Sequence, residues 1–296
     1  MIDLRLLFVA AVWGINFSVI KYALGDFYPL GFTLIRFSLA ALLLFAVMRF
    51  RGLPLGIDRQ DRPAVIRLGL LGITLYNIFF MVGLKYTTAS HSALLISLSP
   101  LMGALIEAAS RREQVRAPLA LGLLFATLGA SMIIAGRGAI GFDRSMIIGD
   151  ILTLCATLLW ALYTVAARPL LRRYSPVTVT AWSVAAGAIL LLPFSIRDIV
   201  AQSWSRPSSA AWGALAFSAF IAAGVAYSLW YEGVKRIGVT RTMVYHYLMP
   251  FVAVVFAALF LHERIGLSQI IGGIAIIGGV ALVQSGKSSP GTDDST

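Results

Sequence analysis

Residues 95–113 read LISLSPLMGALIEAASRRE, and residues 245–263 read YHYLMPFVAVVFAALFLHE. Laid over one another at an offset of 150, they bring Leu98 onto Leu248, Pro100 onto Pro250 and Glu113 onto Glu263. The register continues outward: Gly83 meets Gly233, Lys85 meets Lys235, and Gly122, Gly129 and Gly136 meet Gly272, Gly279 and Gly286. Nearer the amino terminus the offset is 147, with Trp13 on Trp160, Pro29 on Pro176, Thr33 on Thr180 and Leu44 on Leu191. Apolar identities between two hydrophobic helices carry no weight, but Pro, Glu, Lys and Gly held in one register do. We read the chain as two halves, residues 1–138 and 146–285, followed by a Ser/Gly/Asp-rich tail at 286–296 that is expected to be disordered.

The surroundings of these halves follow from composition. Of 296 residues, 59% are apolar and 12% charged, against roughly 45–50% and about 25% in a soluble domain. So few charged side chains cannot build a water-facing exterior for a chain this long; most of its surface has to face lipid. A helix needs about 20 mostly apolar residues to cross a bilayer. Ten such runs are present, at approximately 4–22, 29–48, 65–84, 90–109, 118–136, 147–166, 176–195, 210–231, 240–261 and 266–284. The connections are too short for a soluble domain; the longest, about 49–64, holds Arg49, Arg51, Asp58, Arg59, Asp61 and Arg62. Cys155 lies inside an apolar run, which leaves no disulfide framework and no cysteine-based metal site.

An even number of spans puts both termini on one side. That side collects about twice as many Lys and Arg as the other, as cytoplasmic segments do. The formal charge of +11 is therefore mostly a topology signal, spread over short loops, and it does not describe a nucleic-acid surface. The first span is too long for a cleaved signal peptide and is read as retained. Five spans per half is an odd number, so the second half crosses in the opposite sense. Inverted repeats of this kind characterise secondary transporters, with the substrate near the midplane between the halves.

Several of these residues resemble one family. Trp13-Gly14-Ile15-Asn16-Phe17, Arg36 behind a Pro-led second span, Ser97-Leu98-Ser99-Pro100 followed by Glu113, and Leu248-Met249-Pro250 followed by His262-Glu263-Arg264 resemble the EamA family of the drug/metabolite transporter superfamily, over essentially the whole chain. Length and aromatic content look like its YddG-type branch of bacterial inner-membrane amino-acid exporters. The resemblance implies an all-α polytopic fold of ten transmembrane helices, arranged as two inverted five-helix repeats around a central cavity. It implies that the third, fourth, eighth and ninth helices largely line that cavity. It also implies export of small metabolites or amino acids.

Residues with chemistry to offer at midplane form the candidate substrate site: Trp13, Asn16, Tyr76, Asn77, Ser97, Ser99, Trp160, Tyr163, Tyr245 and His246. Trp normally concentrates at the membrane interface, so two tryptophans deep in repeat-related spans favour cavity walls, with packing as the plainer alternative. Asn16 is one helical turn from Trp13 on the same face and is either site or interhelical glue. Tyr227, Trp230 and Tyr231 are placed nearer the cytoplasmic end. Pro100 and Pro250 are expected to kink or loosen the fourth and ninth spans, freeing carbonyls that can face a cavity. Arg36 either snorkels to an interface or marks the pathway; together with Lys85 and Lys235 it is a gate or coupling candidate. For the lysines, and for Glu113 and Glu263, a local salt bridge is the plainer reading. The glycines of the fifth and tenth spans give small faces for close helix approach, within the chain or in a weak homodimer.

The leading reading is a secondary transporter exporting aromatic and other neutral amino acids by alternating access, with a small-molecule substrate and the lipid bilayer as partners. No cofactor, metal, catalytic residue or nucleic-acid partner is implied. Export of another small metabolite or drug is the neighbouring alternative. A passive channel and a membrane-embedded enzyme are the alternatives of other classes, although no zinc motif or nucleophile–base pair is present. Sugar-phosphate exchange would need clustered midplane cations, and only Arg36 is available. No carboxylate lies at midplane, which disfavours proton coupling through one and leaves facilitated export or weak coupling through His246.

Overall fold

A computed structural model describes residues 3–86, 95–110, 117–135, 144–252 and 266–285. His91, Ser92, Glu113, Gly136, His262, Glu263 and the 286–296 tail lie outside the described residues. Within them every regular element is helical.

Helix α1 (Leu4–Ala23) starts where the Asp3 side chain accepts the Arg5 N–H, and α2 (Pro29–Phe50) starts on a proline in its first turn. Capping side chains and first-turn prolines suit helix starts because the first N–H groups have no intrahelical partner. The third span is composite: α3 (Arg62–Leu68), a π-helical stretch (Gly69–Leu75), then α4 (Tyr76–Tyr86). There follow α5 (Ser99–Ala109), α6 (Ala117–Ala135), α7 (Arg144–Ala166), the short α8 (Arg168–Arg173) and α9 (Pro176–Ala201), which runs past Pro193 and beyond its expected end. The eighth span repeats the design of the third, with α10 (Ser209–Ala216), a π-helical stretch (Phe217–Val225) and α11 (Ala226–Ile237). The ninth begins as α12 (Val239–Met243) and a 3-10 turn (Val244–Tyr247), and α13 (Leu267–Ser285) is the last element.

Among the described residues five stretches are long and apolar enough to cross a membrane, and Leu4–Ile20, Ala117–Gly129 and Ile270–Val283 are shorter apolar helices. The fourth and ninth spans are the interrupted ones. Residues 97–98 form a turn before α5, which carries Pro100 in its first turn. Pro250 has no N–H to offer the preceding turn, and the chain ahead of it tightens so that the Leu248 N–H reaches the Tyr245 carbonyl. The chain is membrane-embedded and multi-pass. Leu42, Phe50, Ile189, Val200 and Ile274 point outward from its helices, an apolar exterior far beyond the few hundred Å² of a soluble monomer.

Elements of the first half pack on elements of the second. Helix α2 lies on α9, α4 on α7, α1 on α11 and α6 on α13, while the third span's π-helical stretch lies on α9 and the eighth span's on α2. The two π-helical stretches overlap at the offset of 150. In α6 and α13 the glycines face each other: a Cβ on Gly122 would stand 2.7 Å from the Gly279 carbonyl oxygen, and one on Gly279 would stand 2.6 Å from that of Gly122. The small faces read from the sequence are thus occupied by the chain's own helices.

Loops are tied by ion pairs and caps. Arg173 pairs with Asp58 at 3.0 Å and with Asp61 at 2.7 Å, and Asp198 accepts the backbone N–H of Leu30 and Gly31 at the start of α2. Asp26 accepts both the backbone N–H and the hydroxyl of Ser208, which hold its carboxyl below the ordinary 3.8.

Candidate functional site

A cavity of about 70 Å³ lies between the spans, lined by Trp13, Asn16, Arg36, Tyr76, Asn77, Trp160 and His246 from the sequence-derived candidates. Volume of this order holds several waters. The Trp13 ring is the hub of an aromatic cluster, with Trp160 and Tyr227 at 5.4 Å, Trp230 at 5.2 Å and His246 at 5.5 Å between centroids.

Local helix geometry explains how Trp13 is held. At the end of the second π-helical stretch the Ala226 N–H reaches back to the Ile221 carbonyl. An ordinary helical turn would have used the Ala222 carbonyl; here that oxygen accepts the Trp13 Nε1–H at 2.9 Å. Such wide turns inside α-helices are frequent at functional sites.

His246 packs against two neighbouring indoles, Trp230 (4.6 Å, 27°) and Trp160 (5.5 Å, 22°). Its Nδ1 lies 2.8 Å from Ser99 Oγ, and its Nε2 has no partner. Ser99 therefore stands behind the histidine and orients it. On another wall Tyr76 stacks on Phe80 at 3° and 6.0 Å.

Arg36 does not snorkel. Its guanidinium turns into the cavity, 6% exposed. Nη2 donates to Asn77 Oδ1 at 3.1 Å and Nη1 to Ser218 Oγ at 3.3 Å, while Cζ sits 4.4 Å from the Phe37 ring centroid. Asn77 is aimed in turn by its Nδ2, which donates to the Ile73 carbonyl at 2.7 Å. Asn16 Oδ1 and Trp160 Nε1 are without partners.

Other candidates are placed elsewhere. Tyr163 is fully buried behind Trp160, packed against Tyr231; its ring fills the space over Gly72, so it is wall support rather than lining. The Tyr245 hydroxyl accepts the Asp3 N–H at 2.8 Å and staples the ninth span to the start of α1. Ser97 is buried outside the lining, because the turn at 97–98 precedes α5. Lys235 Nζ donates to the Tyr174 carbonyl at 3.3 Å; the Lys85 side chain lies outside the described residues. Glu107, in the last turn of α5, is buried and pairs with Arg168 at 2.8 Å.

The sequence reading also missed lining residues. Tyr227 faces the cavity and Trp230 backs His246, since the eighth span is the long Ser209–Ile237 stretch, which leaves Tyr227 about a turn from its middle. Ala222 and Ala223 line it as well; in a run that also holds Ala210, Ala211, Ala214, Ala216, Ala219 and Ala226, nothing in the sequence set them apart. Ser218, which shares that span with Tyr227, Ser228 and Tyr231, is the Arg36 partner that the sequence did not single out. Phe17, Ile20, Met81, Ile96 and Met249 complete the apolar wall and are indistinguishable in sequence from core.

The EamA-like transporter family matches residues 1–135 and again residues 147–285, the stretches that supply the two sides of this cavity. The chain belongs to the EamA-like transporter family. Among relatives, it is 31% identical over 264 residues to the uncharacterized transporter YyaM of Bacillus subtilis, covering 88% of this chain and 86% of that protein. It is 33% identical over 268 residues to an uncharacterized transporter of Archaeoglobus fulgidus, covering 89% and 90%. A protein of Streptantibioticus cattleyicolor named a probable terminal-alkyne amino-acid exporter is 25% identical over 271 residues, covering 90% and 88%. A crystal structure with a TM-score of 0.81 and 22% identity, covering 95% of this chain and 96% of that one, shares the fold.

Proposed function

We propose that this member of the family is a secondary transporter that exports small metabolites, foremost aromatic and other neutral amino acids, across the bacterial inner membrane by alternating access. One observation carries the reading: a single cavity takes Trp13, Asn16, Arg36 and Asn77 from the first family-matched stretch and Trp160, Tyr227 and His246 from the second. A site shared by two rocking halves opens to one side and then the other. The halves, residues 1–138 and 146–285, are inverted repeats in this reading. The basic loops and both termini face the cytoplasm.

The amino-acid assignment draws on the walls and on a relative. Flat rings offer large apolar contact to an aromatic or aliphatic side chain, and the S. cattleyicolor relative bears the name of an amino-acid exporter. The cavity presents one arginine, where a phosphate group calls for several cations. Among the described residues no carboxylate lines it, which favours facilitated export over coupling through a midplane acid and leaves His246 as the titratable lining group.

The test is efflux of preloaded radiolabelled Phe, Trp, Met and Thr from proteoliposomes, with and without a pH gradient. Protein-dependent efflux of at least one supports the reading, and efflux of none overturns it. Equal rates with and without the gradient establish facilitated export.

A further inference from the structure

We propose that Arg36 makes this a carboxylate-selecting cavity, one that accepts ligands carrying a carboxylate, with or without an ammonium, and refuses amines that lack one. The inference deepens the proposed function and rests on the cavity being the transport site, but it does not require the substrate to be an amino acid.

The charge balance inside the cavity carries the argument. The Arg36 guanidinium is all but buried, and the groups that hold it, Asn77 Oδ1 and Ser218 Oγ, are neutral. They satisfy one N–H on each terminal nitrogen and leave the charge itself uncompensated. Among the described residues its Nε–H has no partner, and no carboxylate lines the cavity. Removing one charge from water is costly unless an opposite charge follows it.

A ligand carboxylate supplies that opposite charge. Nε–H and a terminal N–H of a guanidinium lie side by side and match the two oxygens of a carboxylate in a forked pair. A monocation would instead place a like charge beside Arg36 in a medium of low dielectric constant, where repulsion is strong. Asn16 Oδ1, a second buried atom without a partner among the described residues and carried by a lining residue, is an acceptor and can take the ammonium of a zwitterion. It is a single neutral oxygen and cannot offset a guanidinium. The chemical class is thus apolar or aromatic carboxylates, with 2-oxo acids and N-acyl amino acids included beside amino acids.

The full-length protein in detergent tests this by titration with 3-phenylpropionate and with phenethylamine, which share a ring and differ in the sign of their charge. Trp13 and Trp160 in the cavity wall make tryptophan fluorescence the readout. The expected result is binding of 3-phenylpropionate at least about tenfold tighter than phenethylamine, the scale of one charged hydrogen-bonded contact. Arg36→Gln is expected to erase that difference, and Arg36→Lys to keep most of it. Equal binding of the two probes, no binding of 3-phenylpropionate, or unchanged binding of it by Arg36→Gln would overturn the proposal. The wild-type comparison stands without any variant, so a misfolded substitution does not remove the test. Carboxylate-selective binding without amino-acid efflux would sink the amino-acid reading alone. Amino-acid efflux with equal probe binding would sink this proposal alone.

Discussion

Ser99 Oγ lies 2.8 Å from His246 Nδ1, a bond that joins the broken fourth span to the loosened ninth behind the cavity wall. Each partner comes from a helix interrupted just ahead of a proline. The bond fixes the ring on which Trp160 and Trp230 pack. Ser99→Ala is expected to leave the fold intact and to slow amino-acid efflux about fivefold, the equivalent of one hydrogen bond of ~1 kcal/mol. Efflux rates of the variant in proteoliposomes, matched for protein, check this; an unchanged rate would show that the histidine needs no such anchor.

Trp13 tests the ring separately from its hydrogen bond. Trp13→Phe keeps an aromatic wall but leaves the Ala222 carbonyl, freed by the π-helical turn, without its donor. An unsatisfied buried acceptor costs about 1–3 kcal/mol, so the melting temperature in detergent should fall while substrate still binds. Trp13→Ala should lose binding as well.

Tyr163 was a site candidate from its place in the repeat, and it now serves as a packing test. Its ring occupies the space over Gly72, so Gly72→Ala should destabilise the protein by ~1–3 kcal/mol through overpacking. Combining it with Tyr163→Ala should restore part of that loss. Non-additive melting temperatures across the four proteins are the expected sign of contact; additive ones would contradict it.

Asp26 gives a pH dependence outside the membrane. Ser208 donates to its carboxylate from both the backbone N–H and the hydroxyl, so the folded carboxyl titrates below the ordinary 3.8. The group therefore adds stability above the unfolded value and loses it as pH falls through the lower folded one. Wild type should melt above Asp26→Asn at neutral pH, and the gap should close as the pH is brought down from about 5 to about 3. A gap that is constant over this range would rule out the linkage.

How much of this was legible in the sequence varies from residue to residue. Trp13 and Trp160 were recoverable because repeat-related tryptophans deep in a span are conspicuous, and the same holds for the prolines that break the fourth and ninth spans. Asn16, Asn77 and His246 stood out as polar groups in apolar runs, and all three line the cavity. The π-helical turns were not legible, because Gly69–Leu75 and Phe217–Val225 carry no residue that demands a wide turn. With them went the inward placement of Tyr227 and the role of Ala222. Tyr245 was misplaced for a related reason: the 3-10 turn rotates residues 244–247 away from helical phase, and its hydroxyl meets Asp3. The Arg36 side chain was open between two directions, and only the positions of Asn77 and Ser218, from two different spans, decide it.

The most direct test of the central claim is exchange. Proteoliposomes preloaded with radiolabelled phenylalanine are diluted into buffer with or without unlabelled phenylalanine. Alternating access through one cavity predicts faster exit of label when unlabelled phenylalanine is present outside, because each returning site carries substrate. Exit at the same rate in both buffers would contradict a shared alternating site, and the absence of protein-dependent exit would contradict the amino-acid assignment itself.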